Sequence, residues 1–231
     1  FLSAILLTLY GINSHVTIHL FKRRYVRQRR EDRIVVSNFY EGAVPLTDPQ
    51  PFAQRLPTVT TQLPIFNELN VAERLIDAAA AMVYPRGLHE IQVLDDSTDE
   101  TRQIVAAKVV ELRRKGMDIK HIIRKDRKGF KAGALRFGLE RASGEYLAIF
   151  DADFVPHRGF LSRSLALFKD PGIGLVQTPQ HFFNADPLQH YLGLSRSYPD
   201  EQRFFFDHLQ PARDAWGIAF CCGTSSVMRW K

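Results

Sequence analysis

The chain has 231 residues, 45% hydrophobic and 24% charged, which is the composition of a folded globular protein and excludes an intrinsically disordered one. Its formal net charge is +6, and the segment from Lys22 to Arg33, with seven basic and two acidic residues, supplies +5 of it. The remainder is close to neutral, so the globular part lacks the basic face of a nucleic-acid-binding module and no nucleic-acid partner is expected.

Residues 1–21 contain no Asp, Glu, Lys or Arg. As a helix they would span about 31 Å, roughly the hydrocarbon thickness of a bilayer. The positive charges follow this run instead of preceding it, the reverse of a signal peptide, and the positive-inside rule then puts later residues in the cytoplasm. The segment reads as one N-terminal transmembrane helix in the cell inner membrane, with membrane lipid as a partner. Its polar members Asn13, Ser14, His15 and His19 keep open a buried or interfacial helix with a basic flank. Residues 22–56 read as a basic juxtamembrane segment and a linker, rich in Pro, Asp and Gln from Phe39 onward. The chain opens without Met and closes on Trp230-Lys231, so a piece of a longer protein is expected. The two cysteines, Cys221 and Cys222, are adjacent, which suits neither a loop-closing disulfide nor a zinc site and fits a reducing compartment.

From residue 57 to 231 strands and helices alternate. Thr58–Leu63 predicts a strand. Asn70-Val-Ala-Glu73 predicts a capping box that opens a helix through Met82. Glu90–Leu94 is the next strand, and Ser97-Thr-Asp-Glu100 caps a helix to about Lys115. A strand at Ile119–Ile123, a helix at Lys131–Arg141, a strand at Tyr146–Phe150, a helix at Gly159–Phe168 and a strand at Ile173–Val176 follow. This order predicts an α/β domain, a Rossmann-like and mostly parallel sheet with helices on both faces. Ligands of such sheets bind at the carboxyl ends of the strands, where this chain places Asn67-Glu68, Asp95-Asp96, and Asp151 with Asp153.

Asp151-Ala152-Asp153 is a pair of carboxylates two residues apart, which share a face if strand geometry persists. Side by side they repel and favour a shared hard cation, Mg²⁺ or Mn²⁺, that bridges to diphosphate oxygens. The tripeptide alone is a weak signal. Asp95-Asp96-Ser97 reads either as an Asx turn or as a carboxylate for a base or ribose. The basic run Arg127-Lys-Gly-Phe-Lys-Ala-Gly-Ala134 reads either as a solvated loop or as a phosphate contact, with Lys131 near a helix N-terminus. No Gly-x-Gly-x-x-Gly or Gly-x4-Gly-Lys-Ser/Thr cradle occurs.

Together Leu63-Pro-Ile-Phe-Asn-Glu68, Leu94-Asp-Asp-Ser-Thr-Asp-Glu-Thr101, Lys128-Gly-Phe-Lys-Ala-Gly-Ala134 and Phe150-Asp-Ala-Asp153 resemble, in order and spacing, the family 2 glycosyltransferases of GT-A fold. The likeness runs from Pro57 to Lys231. Val176-Gln-Thr-Pro-Gln-His-Phe-Phe-Asn-Ala-Asp-Pro187 and Phe220-Cys-Cys-Gly-Thr-Ser-Ser226 resemble bacterial cellulose synthase, whereas the earlier motifs are closer to the mannan- and glucomannan-synthase-like branch.

The resemblance implies an inverting transfer of a hexose, glucose first, from a UDP-sugar to a growing β-glycan. Alternatives are a glucomannan- or mannan-synthase-like enzyme, transfer to a lipid acceptor such as diacylglycerol, or a nucleotide-binding scaffold without catalysis. By similarity Asp96 contacts the uracil or ribose, Phe66 and Glu68 belong to the donor site, and Lys131 approaches the diphosphate. Asp151 and Asp153 serve the donor and its Mg²⁺ or Mn²⁺, Asp153 most directly. Cys222 and Gly223 lie on the acceptor side, and His181 and Phe182 read either as acceptor-side residues or as a packed loop. The family's base lies in a Thr-Glu-Asp motif, followed by Gln-x-x-Arg-Trp. Neither occurs here, since Ser226 stands where Arg229-Trp230 would need the Gln. The base is therefore expected beyond Lys231, and the chain is expected to bind a nucleoside diphosphate without turnover.

Overall fold

The computed structural model describes residues 3–13, 15, 16, 19, 56–180, 204–214 and 217–231. They divide into two compact units, one drawn from Phe1–Val35 and Pro179–Cys221 and the other from Val36–Thr178 and Cys222–Lys231. In the first unit residues 3–13 are helical, as are 15, 16 and 19. The transmembrane expectation for residues 1–21 is thus described only in part, and among the described residues no helix is long and apolar enough to cross a membrane. The basic segment, most of the linker, His181 and Phe182 lie outside the described residues.

The second unit is a six-stranded sheet in the order β3-β2-β1-β4-β6-β5. Its strands are β1 (Val59–Ile65), β2 (His89–Asp95), β3 (Asp118–Ile123), β4 (Tyr146–Ile149), β5 (Leu175–Gln177) and β6 (Ser226–Arg229). Pairing is parallel across β3-β2-β1-β4 and antiparallel at β4-β6 and β6-β5. The helices are α1 (Ala72–Ala80), α2 (Thr101–Arg114), α3 (Phe130–Leu139) and α4 (Phe160–Leu167). Each predicted element is present within a few residues of its expected bounds. The Asn70–Glu73 capping box does not form, because α1 begins at Ala72 after Val71 with no side-chain cap. The Glu68 carbonyl instead takes the N–H groups of Val71 and Ala72. At α2 the N-cap is Glu100, again with no side-chain cap, and the turn ahead of it is closed by Asp99, whose carboxylate accepts the Thr101 N–H at 3.0 Å.

The two faces of the sheet are built differently. One carries Val59, Leu63, Ile65, Ile91 and Val93, which pack with Leu75, Ile76 and Val105 of α1 and α2 into the main apolar cluster. The other carries Thr60, Gln62, Glu90 and Gln92, all buried. In-register neighbours satisfy them: Thr60 donates to Glu90 at 2.6 Å and Gln62 to Gln92 at 3.0 Å. Glu90, only 2% exposed, also accepts from Lys120 Nζ at 2.5 Å and from the Ser143 N–H and hydroxyl. Burial alone would raise its carboxyl, but the bonds from Lys120, Ser143 and Thr60 hold it down at about 2. Strands of a parallel sheet are buried on both faces, so these polar groups are tolerated only because every one has a partner.

In the first unit Phe205–Leu209 forms a π-helical turn that runs into α5 (Gln210–Asp214). The Gln210 amide closes on Phe220, donating to its carbonyl at 2.6 Å and accepting from its N–H at 3.1 Å.

Candidate active site

At the carboxyl ends of β1, β2 and β4 the second unit forms a cleft of about 400 Å³. Phe66, Glu68, Asp96, Lys131, Asp151 and Asp153, the donor-side residues expected from the sequence, all line it. Arg127 joins them.

Asp95 and Asp96 part company at the end of β2. Asp95 is buried and works inside the fold: it accepts the Ser97 N–H at 2.8 Å, the Asx turn, and bonds His121 Nε2 at 2.7 Å. Asp96 lines the cleft and pairs with Arg124, which follows β3. Arg124 Nε donates to Oδ1 at 2.7 Å and Nη2 to Oδ2 at 2.5 Å. A carboxylate has about four lone-pair sites, so Asp96 can still accept from a ligand.

Arg124 also organises the loop that leads into α3. Its guanidinium donates to the carbonyls of Lys128 at 2.7 Å and Phe130 at 2.8 Å. That geometry needs Gly133, where an added Cβ would lie 2.0 Å from the Lys128 oxygen and 2.6 Å from Arg124 Nη1. The loop so folded sets Lys131 in the first turn of α3, and Lys131 Nζ ion-pairs with Asp151 and donates to the Gly223 carbonyl at 3.0 Å. The basic run therefore contributes to the cleft and is not merely a solvated loop.

Asp151 and Asp153 share the cleft, but not through a continued pleat. The strand ends at Ile149, and the Phe154 N–H bonds the Asp151 carbonyl at 3.0 Å to make a turn. Ala152 packs into the apolar cluster, so the two flanking carboxylates are left toward solvent. Two oxygen-donor side chains suit a hard divalent cation that takes its remaining ligands from phosphate and water. They do not make a self-sufficient metal cage, and among the described residues no cluster of three His, Cys, Asp or Glu does.

Phe66 has a partner that sequence reasoning did not foresee. The Arg127 guanidinium lies 3.2 Å from the centre of its ring, and 5.1 Å from that of Phe130. Among the described residues the three non-glycines with positive φ are Asn67 (55°) and Ser225 (49°), in turns at this end of the sheet, and Phe130 (48°), the first residue of α3. Such backbone strain collects where a site requires it. Asn67 is braced by its N–H to Ser97 Oγ at 3.0 Å and by Thr98, whose N–H it accepts at 2.8 Å. Of the residues expected on the acceptor side, Gly223 is brought to Lys131, while Cys222 bonds Gln177 of β5, its N–H to Oε1 at 2.6 Å. Arg124 was missed, and Arg127 was read only as the start of the basic run, because a single Arg in a charged loop carries no local signal of its partner.

Residues 62–231 match the model of the family described as Glycosyl transferase family 2. The chain is 37% identical over 175 residues to a cellulose synthase catalytic subunit [UDP-forming] of Pseudomonas fluorescens (strain SBW25), covering 75% of this chain and 23% of the relative. It is 44% identical over 139 residues to glucomannan 4-beta-mannosyltransferase 2 of Arabidopsis thaliana, covering 58% of this chain and 26% of that one. The chain thus spans about a quarter of the length of these relatives. Among solved structures, a mannosyltransferase from Pyrobaculum calidifontis in complex with GDP-Man and Mn²⁺ shares the fold, with a TM-score of 0.59 at 22% identity over 92% of this chain and 56% of that one.

Proposed function

Because this chain belongs to the family 2 glycosyl transferases, we propose that its second unit is the donor site of an inverting hexosyltransferase, one that moves glucose from a UDP-sugar to a growing β-glycan at the cytoplasmic face of the inner membrane. The observation that carries this reading is the assembly, around one cleft, of an aromatic-and-carboxylate set (Phe66, Asp96) and a cation-and-carboxylate set (Lys131, Asp151, Asp153). The first has the chemistry of a nucleoside and the second that of a diphosphate. The likeness to the UDP-forming synthase supports the donor, and the charge-free residues 1–21 ahead of a basic run support the membrane.

In this reading the base stacks against Phe66 and the planar Arg127 guanidinium, and Asp96, held by Arg124, accepts from its imide or from the ribose. Lys131 turns its ammonium to the diphosphate while keeping Gly223 in reach. Asp151 and Asp153 would hold Mg²⁺ or Mn²⁺, which when bound offsets the charge that develops on the departing nucleoside diphosphate. Glu68, Asp96, Asp151 and Asp153 are all committed to the donor, so none is assigned as the base that deprotonates the acceptor. Cys222 and Gly223 would border the acceptor sugar; His181, also expected there from the sequence, lies outside the described residues.

The 44% identity to the glucomannan mannosyltransferase favours a second reading, a mannosyl donor on the same site. Calorimetry of the chain with UDP and with GDP, each with and without Mn²⁺, tests both. Tighter binding of UDP that strengthens with Mn²⁺ is expected; preference for GDP would select the mannosyl reading, and no binding of either nucleotide would refute the donor site.

A further inference from the structure

Asp151 lies one residue beyond the point where the β4–β6 ladder ceases to be ordinary. The antiparallel register runs Tyr146↔Arg229, Leu147↔Met228, Ala148↔Val227 and Ile149↔Ser226. Continued, it would set Asp151 opposite Thr224. On the other side of β4, Phe150 N–H still bonds β1 through the Gln62 carbonyl at 3.2 Å. Backbone amides alternate in direction along a strand, so the Asp151 N–H must find its acceptor on the β6 side.

In this register the ladder acceptor would be the Thr224 carbonyl, but the pairing stops at Ile149↔Ser226. Gly223 and Ser225, with φ of 75° and 49°, turn the chain on both sides of Thr224. The Ser225 carbonyl is taken by the Thr178 N–H at 3.0 Å, and the Gly223 carbonyl by Lys131 Nζ at 3.0 Å. The Thr224 hydroxyl fills the gap: Oγ1, on a residue only 4% exposed, accepts the Asp151 N–H at 2.9 Å. The same turn is anchored to β5, where Thr178 and Ser225 hydroxyls meet at 2.5 Å and Gln177 takes the Cys222 N–H. One short turn therefore holds both members of the Lys131–Asp151 pair, the ammonium through a carbonyl and the carboxylate's backbone through a hydroxyl.

We propose that Thr224 is a positioning residue of the donor site: its buried hydroxyl replaces a ladder carbonyl at Asp151 and so sets where that carboxylate stands relative to Lys131 and a bound cation. The functional half of this proposal rests on Asp151 being a donor-side carboxylate. A threonine is suited to the task because its hydroxyl accepts while its methyl fills a buried place; valine keeps the shape and leaves the amide unpaired.

The test compares Thr224→Val and Thr224→Ser with the wild-type chain. UDP affinity is measured in EDTA and in saturating Mn²⁺. The valine variant should lose on the order of ten-fold in the Mn²⁺-dependent increment, with affinity in EDTA held within about two-fold, and serine should retain the increment. Equal losses under both conditions, as from general damage to the fold, or no loss under either, would overturn the proposal. A ligand-free measurement separates it from the functional reading: amide hydrogen exchange at Asp151. Exchange should be slow in wild type and Thr224→Ser and at least about ten-fold faster in Thr224→Val. Identical Asp151 exchange in wild type and Thr224→Val would overturn the placement itself. Expected exchange in a chain that binds no nucleotide would instead leave the placement standing and refute the donor-site reading.

Discussion

Arg124 grips Asp96 with two parallel bonds, Nε to Oδ1 at 2.7 Å and Nη2 to Oδ2 at 2.5 Å, and both side chains are over nine-tenths buried at 8% and 7% exposure. The fork also carries the carbonyls of Lys128 and Phe130, so one guanidinium ties the Asp96 carboxylate of the cleft to the loop that delivers Lys131. Lysine is a point charge and cannot reproduce four bonds in this geometry. Arg124→Lys should therefore lower UDP affinity about ten-fold and cost roughly 1–3 kcal/mol of stability. Calorimetry alongside urea denaturation checks both, and unchanged affinity in the folded variant would contradict the linkage.

Gly133 tests the same loop from its other side. An added Cβ meets backbone, the Lys128 oxygen at 2.0 Å, and cannot be relieved by a rotamer change. Gly133→Ala should destabilise the chain by about 1–3 kcal/mol and weaken UDP binding. Gly174 has open space around the same atom, so Gly174→Ala should shift stability by less than about 1 kcal/mol of either sign. Similar melting curves for the two variants would show that the loop does not depend on this close approach.

The carboxylate pair makes a separable prediction. Asp153→Ala should reduce the Mn²⁺-dependent part of UDP affinity on the order of 10–100-fold, while leaving binding in EDTA largely intact. Asp151→Asn should do the same and also release Lys131 from its ion pair. Unaltered Mn²⁺ dependence in Asp153→Ala would exclude it from the metal site.

Stability should rise with pH in two overlapping stages. Burial lowers His89 from 6.5 to about 4, against an opposing pull from Glu90, so the unfolded chain binds the extra proton between these values. Its contribution is complete above pH 6.5 and is lost as pH falls to about 4, a difference on the order of 3 kcal/mol. Glu90, lowered from 4.5 to about 2, contributes fully above pH 4.5 and loses its share on further acidification. Urea titrations from pH 8 to pH 3 should show the decline, and His89→Gln should flatten the stage between 6.5 and 4. A wild-type profile level across that interval would contradict the buried neutral imidazole.

Local pattern was enough to read the alternation of strands and helices and the placing of Glu68, Asp96 and Asp151 at strand ends, because periodicity and strand polarity are properties of short stretches. It was also enough to set Lys131 at the start of a helix. It left the polar strand interiors unread, and it gave Asp151 and Asp153 a shared face only if strand geometry persisted. Gln62, Glu90 and Gln92 look solvent-facing one strand at a time, and only parallel register makes them each other's partners. The shared face of Asp151 and Asp153 comes from a turn, with Ala152 drawn into the core. Above all, tertiary structure decided what surrounds Asp151. Inserting β6 antiparallel between β4 and β5 brings Gly223 and Thr224 to Lys131 and Asp151. Hydrogen bonds between segments so far apart in the chain depend on how strands are ordered in the sheet, which no local preference encodes.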